Sequence, residues 1–205
     1  MEANESDSIQ SQPQEISSTT QKIVNEIKAL EKELEEIQIA YPDYRLELVD
    51  GSIIIMSPSG YESEEVGTEF AALLRNWVRP RKLGRVVGSS AGFKLPNSDL
   101  RAPDVSFVCA NRLKKSTEDY AELVPDLVVE VKSKTDSLDK LRKKIEDFMN
   151  LGAKVGILIN PKTRTVEVSC PGETVIFKDG DILTLPDLLP GWEVAISEIW
   201  SPVFE

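Results

Sequence analysis

The chain has 205 residues, 40% apolar and 29% charged, which is ordinary for a soluble globular protein and long enough to bury one full hydrophobic core. Histidine is absent, which excludes histidine-activated nucleophiles, most zinc centres and the commonest general base. Any hydrolytic chemistry must therefore run on carboxylates, lysine and a hard cation.

A formal net charge of −11 argues against an obvious nucleic-acid binder. The charge is unevenly spread. Residues 1–40 hold nine acids and three bases, and the other 165 residues hold 26 acids and 21 bases. Two basic clusters stand out: Arg75, Arg79, Arg81, Lys82 and Arg85, then Lys140, Arg142, Lys143 and Lys144. Both read first as solvated helix faces and second as phosphate tracks. No stretch approaches the ~20 apolar residues of a membrane helix, and no basic, apolar leader opens the chain. No membrane association is expected. Two unpatterned cysteines, Cys109 and Cys170, fit a reducing cytoplasm rather than a disulfide framework.

In chain order, residues 1–20 are polar and acidic and are expected to be disordered. From Gln21 to Ile39 the apolar positions Ile23, Ile27, Leu30, Leu34 and Ile37 form a heptad seam. That predicts a helix over 21–40, packed on its own domain or pairing with a second copy in a homodimer. Residues 41–205 form the main domain. Arg45–Val49 and Ile53–Met56 flank Asp50-Gly51, a hairpin signal. A helix is expected over Tyr61–Val78, with Ser59 and Glu62 at capping-box spacing. Short strands follow at Arg85–Val87, Gly92–Leu95 and Arg101–Val108, then a polar loop over Asn111–Leu123. Leu127–Val131 is an apolar strand, a helix capped by Asp136 or Ser137 runs to about Leu151, and Val155–Ile159 is a further strand. Val166–Ser169 and Thr174–Phe177 form a hairpin, and the segments Leu188–Trp192 and Ile196–Trp200 are expected to cover the sheet. Strands followed by a helix crossover predict a mixed α/β sheet with helices on its faces.

Pro125 to Ser133 is the stretch that carries chemistry. Leu127, Val129 and Val131 share one strand face and read as core, while Val128, Glu130 and Lys132 share the other. An acid and a base at the end of an apolar strand cost several kcal/mol if buried without partners. Alone, Glu-x-Lys is a common surface pattern. Upstream, Pro103-Asp104 opens another short strand, so an acid there can face Glu130 on its neighbour. Two carboxylates with a lysine beside them suit a divalent-metal site. Asp126, four residues before Glu130, reads as a turn residue at the far end of the strand.

This layout resembles the PD-(D/E)xK nuclease superfamily and, more closely, the Uma-type restriction endonuclease family, abundant in cyanobacteria. The resemblance covers about Tyr41 to Trp200. It rests on Arg45-Leu46-Glu47-Leu48-Val49-Asp50-Gly51, Met56-Ser57-Pro58-Ser59-Gly60-x-Glu62, Gly88-Ser89-Ser90-Ala91-Gly92-Phe93, Arg101-x-Pro103-Asp104, Pro125 to Val131 and Leu188-Leu189-Pro190-Gly191. It implies a restriction-endonuclease-like α/β fold, a mixed sheet flanked by helices, with an N-terminal helix and additional hairpins. It implies a Mg2+-dependent endonuclease, with Mn2+ as a substitute, acting on nucleic acid, DNA in the first place. By the same resemblance Asp104 and Glu130 are the metal ligands together with the Val131 carbonyl, Lys132 is the active-site lysine, and Glu62 is the acid from the first core helix. Glu47 is a second candidate for that acid. Many family members carry a histidine shortly after the helix acid, where this chain has Ser63. Many also lack the lysine that this chain has at Lys132.

Two other readings fit the residues. The site can act on branched DNA, single strands or RNA. Alternatively the chain is a nuclease-like scaffold without catalysis, binding a protein partner through its heptad helix and acidic tail.

Overall fold

The computed structural model describes residues 18–204. Most of the expected polar tail, residues 1–17, lies outside that range. Helix α1 spans Ser18–Ala40, so it begins three residues before the heptad seam suggests. The next two strands, β1 (Arg45–Val49) and β2 (Ser52–Met56), pair antiparallel across Asp50-Gly51. Asp50 and Gly51 both take positive φ, 48° and 72°, as the tight turn of a right-twisted hairpin requires. Leu34 and Leu30 of the seam pack on Leu48, Leu46 and Ile53 of this hairpin, whereas Ile23 and Ile39 stay exposed.

Helix α2 covers Tyr61–Val78, and its N-cap is Gly60, with no side-chain cap. The Ser59–Glu62 capping box therefore does not form. Next come β3 (Gly84–Gly88), β4 (Phe93–Lys94), β5 (Leu100–Arg101) and β6 (Val105–Cys109). The single strand expected over Arg101–Val108 is thus two. Pro103 cannot donate to a ladder, and the chain leaves one sheet at Arg101 and joins another at Val105. Asp104 sits in the break between them.

Strand β7 (Leu127–Val131) pairs antiparallel with β6 and parallel with β8 (Val155–Asn160), the two joined by helix α3 (Leu138–Asn150). The chain then makes a hairpin of β9 (Thr165–Cys170) and β10 (Glu173–Lys178), and a second of β11 (Ile182–Leu185) and β12 (Leu189–Ala195), closed by a 3-10 turn at Ile196–Ile199. The large sheet has the order β10-β9-β8-β7-β6-β3, and a smaller one has the order β2-β1-β5-β4.

Both faces of β7 are core. Leu127, Val129 and Val131 meet Val66, Phe70 and Leu74 of α2, and the β11–β12 hairpin extends that layer through Leu183, Leu189 and Trp192. Val128, on the opposite face, packs under Phe148 of α3 with Phe93 and Val124. Each fully buried aromatic such as Phe70 or Phe148 stabilises the fold by about 1.5–3 kcal/mol. Gly156 lets α3 sit close on β8, since a Cβ there would lie 2.2 Å from the Ile145 side chain. Among the described residues no helix is long and apolar enough to cross a membrane.

Candidate active site

The chain's break at Ala102–Asp104, the end of β7, strand β1 and the middle of α3 converge on one buried cluster of charge. Glu130 is 3% exposed. Val131 donates its backbone N–H to Asp104 Oδ2 at 2.8 Å, which fixes the Asp104 carboxylate against the end of β7. Among the described residues no other hydrogen bond to Asp104 is made, so one carboxylate oxygen is available.

Lys144 enters this cluster from α3. Its Nζ donates to Glu47 Oε1 at 3.1 Å and to the Ala102 carbonyl at 3.2 Å, and lies 3.0 Å from Glu130 Oε1. The Glu130 contact is an ion pair without hydrogen-bond alignment, because Glu130 Oε1 has no hydrogen-bond partner. An ammonium has three donors. Two are used, and the third has no aligned acceptor. Glu47 is itself buried and also accepts from the Ala102 N–H at 3.0 Å, with Arg101 Nε 4.0 Å from its other oxygen.

Three carboxylates and one ammonium leave the cluster short of positive charge. Burial pushes Glu130 up to about 8; Lys144 opposes the shift, and the charges of Asp104 and Glu47 add to it. Burial also raises Asp104, against the Val131 N–H and the charges of Lys144 and Arg45. Burial works against the Lys144 ammonium, but the charges of Glu130 and Glu47 outweigh it and hold Lys144 above the ordinary lysine value. Burial and the neighbouring carboxylates thus favour a proton on Glu130, and Glu47 anchors the lysine.

The sequence-predicted residues divide. Asp104, Glu130 and Val131 come together. Lys132 does not join them through any contact to a carboxylate: its Nζ donates to the carbonyl of Ser133, its own neighbour, at 2.9 Å. Glu62 is exposed on the first turn of α2, and the helix acid whose charge acts on Asp104 is Glu64. Glu64 accepts from Ser89 Oγ at 3.2 Å, and Arg45 bonds the Ser89 carbonyl. The buried acid is Glu47. Sequence reasoning missed Lys144, which it grouped with a solvated basic face. The signal was present: Leu141, Lys144, Ile145 and Phe148 have the i, i+3, i+4, i+7 spacing of an inward stripe.

Asp126 occupies the bend just before β7, as a turn residue would, but is fully buried there. It pairs with Arg112 at 3.1 Å and Lys154 at 3.0 Å, and accepts the Cys109 N–H at 2.9 Å. Burial would raise its pKa, but the Cys109 N–H and the two cations outweigh that and hold it below the usual carboxylate range.

Part of this donor set suits a divalent cation. Among the described residues no three His, Cys, Asp or Glu side chains are grouped as a metal cage. Magnesium needs fewer protein ligands, since it is held by one or two carboxylates and keeps several waters. Two adjacent carboxylates, one with an unpaired oxygen buried in a cluster deficient in positive charge, fit such an ion.

The family model Uma2, described as "Putative restriction endonuclease", matches residues 31–197. The chain belongs to the Uma2 family. Membership supports a nuclease function. A crystal structure described as a putative nuclease belonging to DUF820 from Anabaena variabilis ATCC 29413 is 21% identical, covering 75% of this chain and 88% of that one with a TM-score of 0.66. That likeness shows the fold, a mixed sheet flanked by helices. A DrdV–DNA complex is also similar at 16% identity, covering 85% of this chain and 13% of that one, with a TM-score of 0.41. A comparison with curated proteins gave no match.

Proposed function

We propose that this Uma2 chain is a Mg2+-dependent endonuclease, with Mn2+ as a substitute, whose centre is Asp104, Glu130 and Lys144. The observation that supports this most is the buried ammonium of Lys144 3.0 Å from Glu130, beside a carboxylate tied to the Val131 amide. A divalent ion held by Asp104, Glu130 and the Val131 carbonyl supplies Lewis-acid polarisation of the phosphoryl group and a more acidic water.

The chain's own residues do the rest. Lys144 turns its unaligned N–H to a phosphoryl oxygen, where charge builds up as the bond breaks. Glu47 acts as a positioning residue, holding Lys144 through a 3.1 Å bond and keeping it charged. Gly156 contributes indirectly, since the close approach of α3 brings Lys144 down to the sheet. In this reading Lys132, half-buried beside the centre, contacts the substrate backbone rather than the reacting phosphate. The partner is DNA in the first place. Two free cysteines, Cys109 and Cys170, are in keeping with a cytoplasmic protein.

The test is cleavage of labelled duplex DNA, single-stranded DNA, branched DNA and RNA by the purified chain with Mg2+ or Mn2+. At least one substrate is expected to be cut, and a chelator is expected to stop it. No cleavage of any substrate with either metal would leave the non-catalytic scaffold as the better account.

A further inference from the structure

The end of the large sheet opposite Asp104 and Glu130 is basic, although the chain is strongly acidic. The turn between α2 and β3, Arg79 to Arg85, holds four cations and no acid. The loop after β6, Cys109 to Lys115, holds three more and no acid. A backbone hydrogen bond from Ala110 N–H to the Leu83 carbonyl joins the two segments, and Arg85 donates to the carbonyls of Leu113 and Lys114 at 3.1 Å each. The cations therefore lie on one surface. The acid beneath them, Asp126, is fully buried and already committed to Arg112 and Lys154.

Pairing separates this cluster from the one on α3. On α3 three of the four cations are paired, Arg142 with Glu167, Lys143 with Glu146 and Asp147, and Lys144 with Glu47. Among the described residues, Arg79, Arg81, Lys82, Arg85, Lys114 and Lys115 have no carboxylate at ion-pair distance. Arg81 instead lies 3.4 Å over the Trp77 ring. Solvated helix faces normally lace their cations with acids. A set of unpaired cations on converging loops, kept free of acids in a chain of net charge −11, is the electrostatic footprint of a polyanion.

We infer that this pole is a docking surface for the phosphate backbone of nucleic acid, distinct from the carboxylate centre and read without regard to base sequence. Phosphate neutralisation by lysine and arginine supplies sequence-independent affinity and steep salt dependence. β6 and the residue on either side of it separate the pole from Asp104 by about 20 Å at ~3.3 Å per residue. Phosphates on one strand of a duplex are about 3.4 Å apart along its axis, so a backbone held at the pole reaches the centre within roughly six base pairs. The surface can therefore anchor a substrate that is cut elsewhere, and it does not require that cutting occurs.

The test is fluorescence anisotropy with the full chain and a labelled duplex of about two helical turns, in chelator, at low and at physiological salt. Lys82→Glu, Lys114→Glu and Lys115→Glu are combined in one variant. A second variant with the same net charge carries Lys22→Glu, Lys28→Glu and Lys32→Glu on α1. The pole variant is expected to bind at least about tenfold more weakly at low salt, with the salt slope smaller by about 1 for each phosphate it no longer neutralises. The α1 variant is expected to bind as wild type. Equal weakening in both variants, or no binding by the wild type, would overturn the inference. So would a change in oligomeric mass confined to the pole variant, since it would assign the surface to a second copy. Because chelator is present, failure of the cleavage reading leaves this result untouched.

Discussion

Lys144→Met is expected to lower the rate of phosphodiester cleavage by at least about a hundredfold, and Lys132→Met by less than about tenfold. Removing one preorganised donor aimed at developing charge costs roughly 10²–10³ in rate, or about 2.7–4 kcal/mol. Lys144 is placed for that task by a 3.1 Å bond to Glu47 and an unaligned third N–H, whereas Lys132 is turned to the Ser133 carbonyl. Methionine keeps most of the lysine stem's length and leaves the packing of α3 on β7 in place. Losing the ammonium between two buried carboxylates is expected to lower stability. Glu47 nevertheless retains the Ala102 N–H and the nearby Arg101, and Glu130 takes up a proton, so the fold is expected to survive, as circular dichroism will show. Single-turnover rates at saturating enzyme read the chemical step. A larger loss in Lys132→Met than in Lys144→Met would return the catalytic role to the strand lysine.

Asp126→Ala is expected to lower stability, with no direct effect on the carboxylate centre. The cations that Asp126 leaves behind, Arg112 and Lys154, are 35% and 58% exposed and turn to water, so the cost comes mainly from the orphaned Cys109 N–H, about 1–3 kcal/mol. Here one carboxylate with no exposure serves Arg112, Lys154 and the Cys109 amide, and its loss frees all three. For a domain of this size each kcal/mol shifts Tm by roughly 2–4 °C, so a drop of about 2–12 °C is expected in thermal denaturation. Asp126→Asn keeps an acceptor for the amide and is expected to lose less. The stabilisation depends on pH with a definite sign. The carboxyl lies below its usual range when folded, so its contribution is full above the unfolded pKa and is lost as pH falls through the folded one. A Tm unchanged from wild type would show that the buried Asp126 carboxylate contributes nothing to stability.

Asp126 also shows where reading the sequence stops. Pro-Asp at the start of an apolar strand is a turn signal, and nothing in the local pattern reveals that Arg112 and Lys154, from two other segments, arrive above it. The same holds for Glu47, whose burial comes from α3 and the Ala102 break, both distant in the chain. Elements set by local periodicity were readable: the α2 and α3 stripes, the Asp50-Gly51 hairpin, and the parallel β7–β8 pair implied by a helix crossover. The β11–β12 hairpin was not. Pro190 and Gly191 sit within β12, whose burial does not alternate cleanly, and β11, which does alternate, is only four residues long with a register shift between Thr184 and Leu185. The division of β5 from β6 had a visible cause in Pro103, which interrupts any ladder. Lys144 was readable too, as a lysine on the inward stripe of its helix; a run of basic neighbours concealed it.

The two carboxylates were anticipated from Pro103-Asp104 and Glu130 because they belong to adjacent strands and a short motif. The lysine and the third acid come from elements far away in sequence, and only the fold brings them to Glu130. That division explains why the motif brings Asp104 and Glu130 to mind but not Lys144, whose Nζ lies 3.0 Å from Glu130.

Binding of Mn2+ to the purified chain, followed by electron paramagnetic resonance and by the protons released, decides whether Asp104 and Glu130 hold a metal ion. Burial and acidic neighbours hold Glu130 up to about 8, so at pH 7 an incoming divalent ion must displace its proton, and affinity is expected to rise with pH up to that value. One bound ion per chain, released protons, and loss of both in Asp104→Asn is the predicted result. No bound ion, or an ion held equally well by Asp104→Asn, would contradict it.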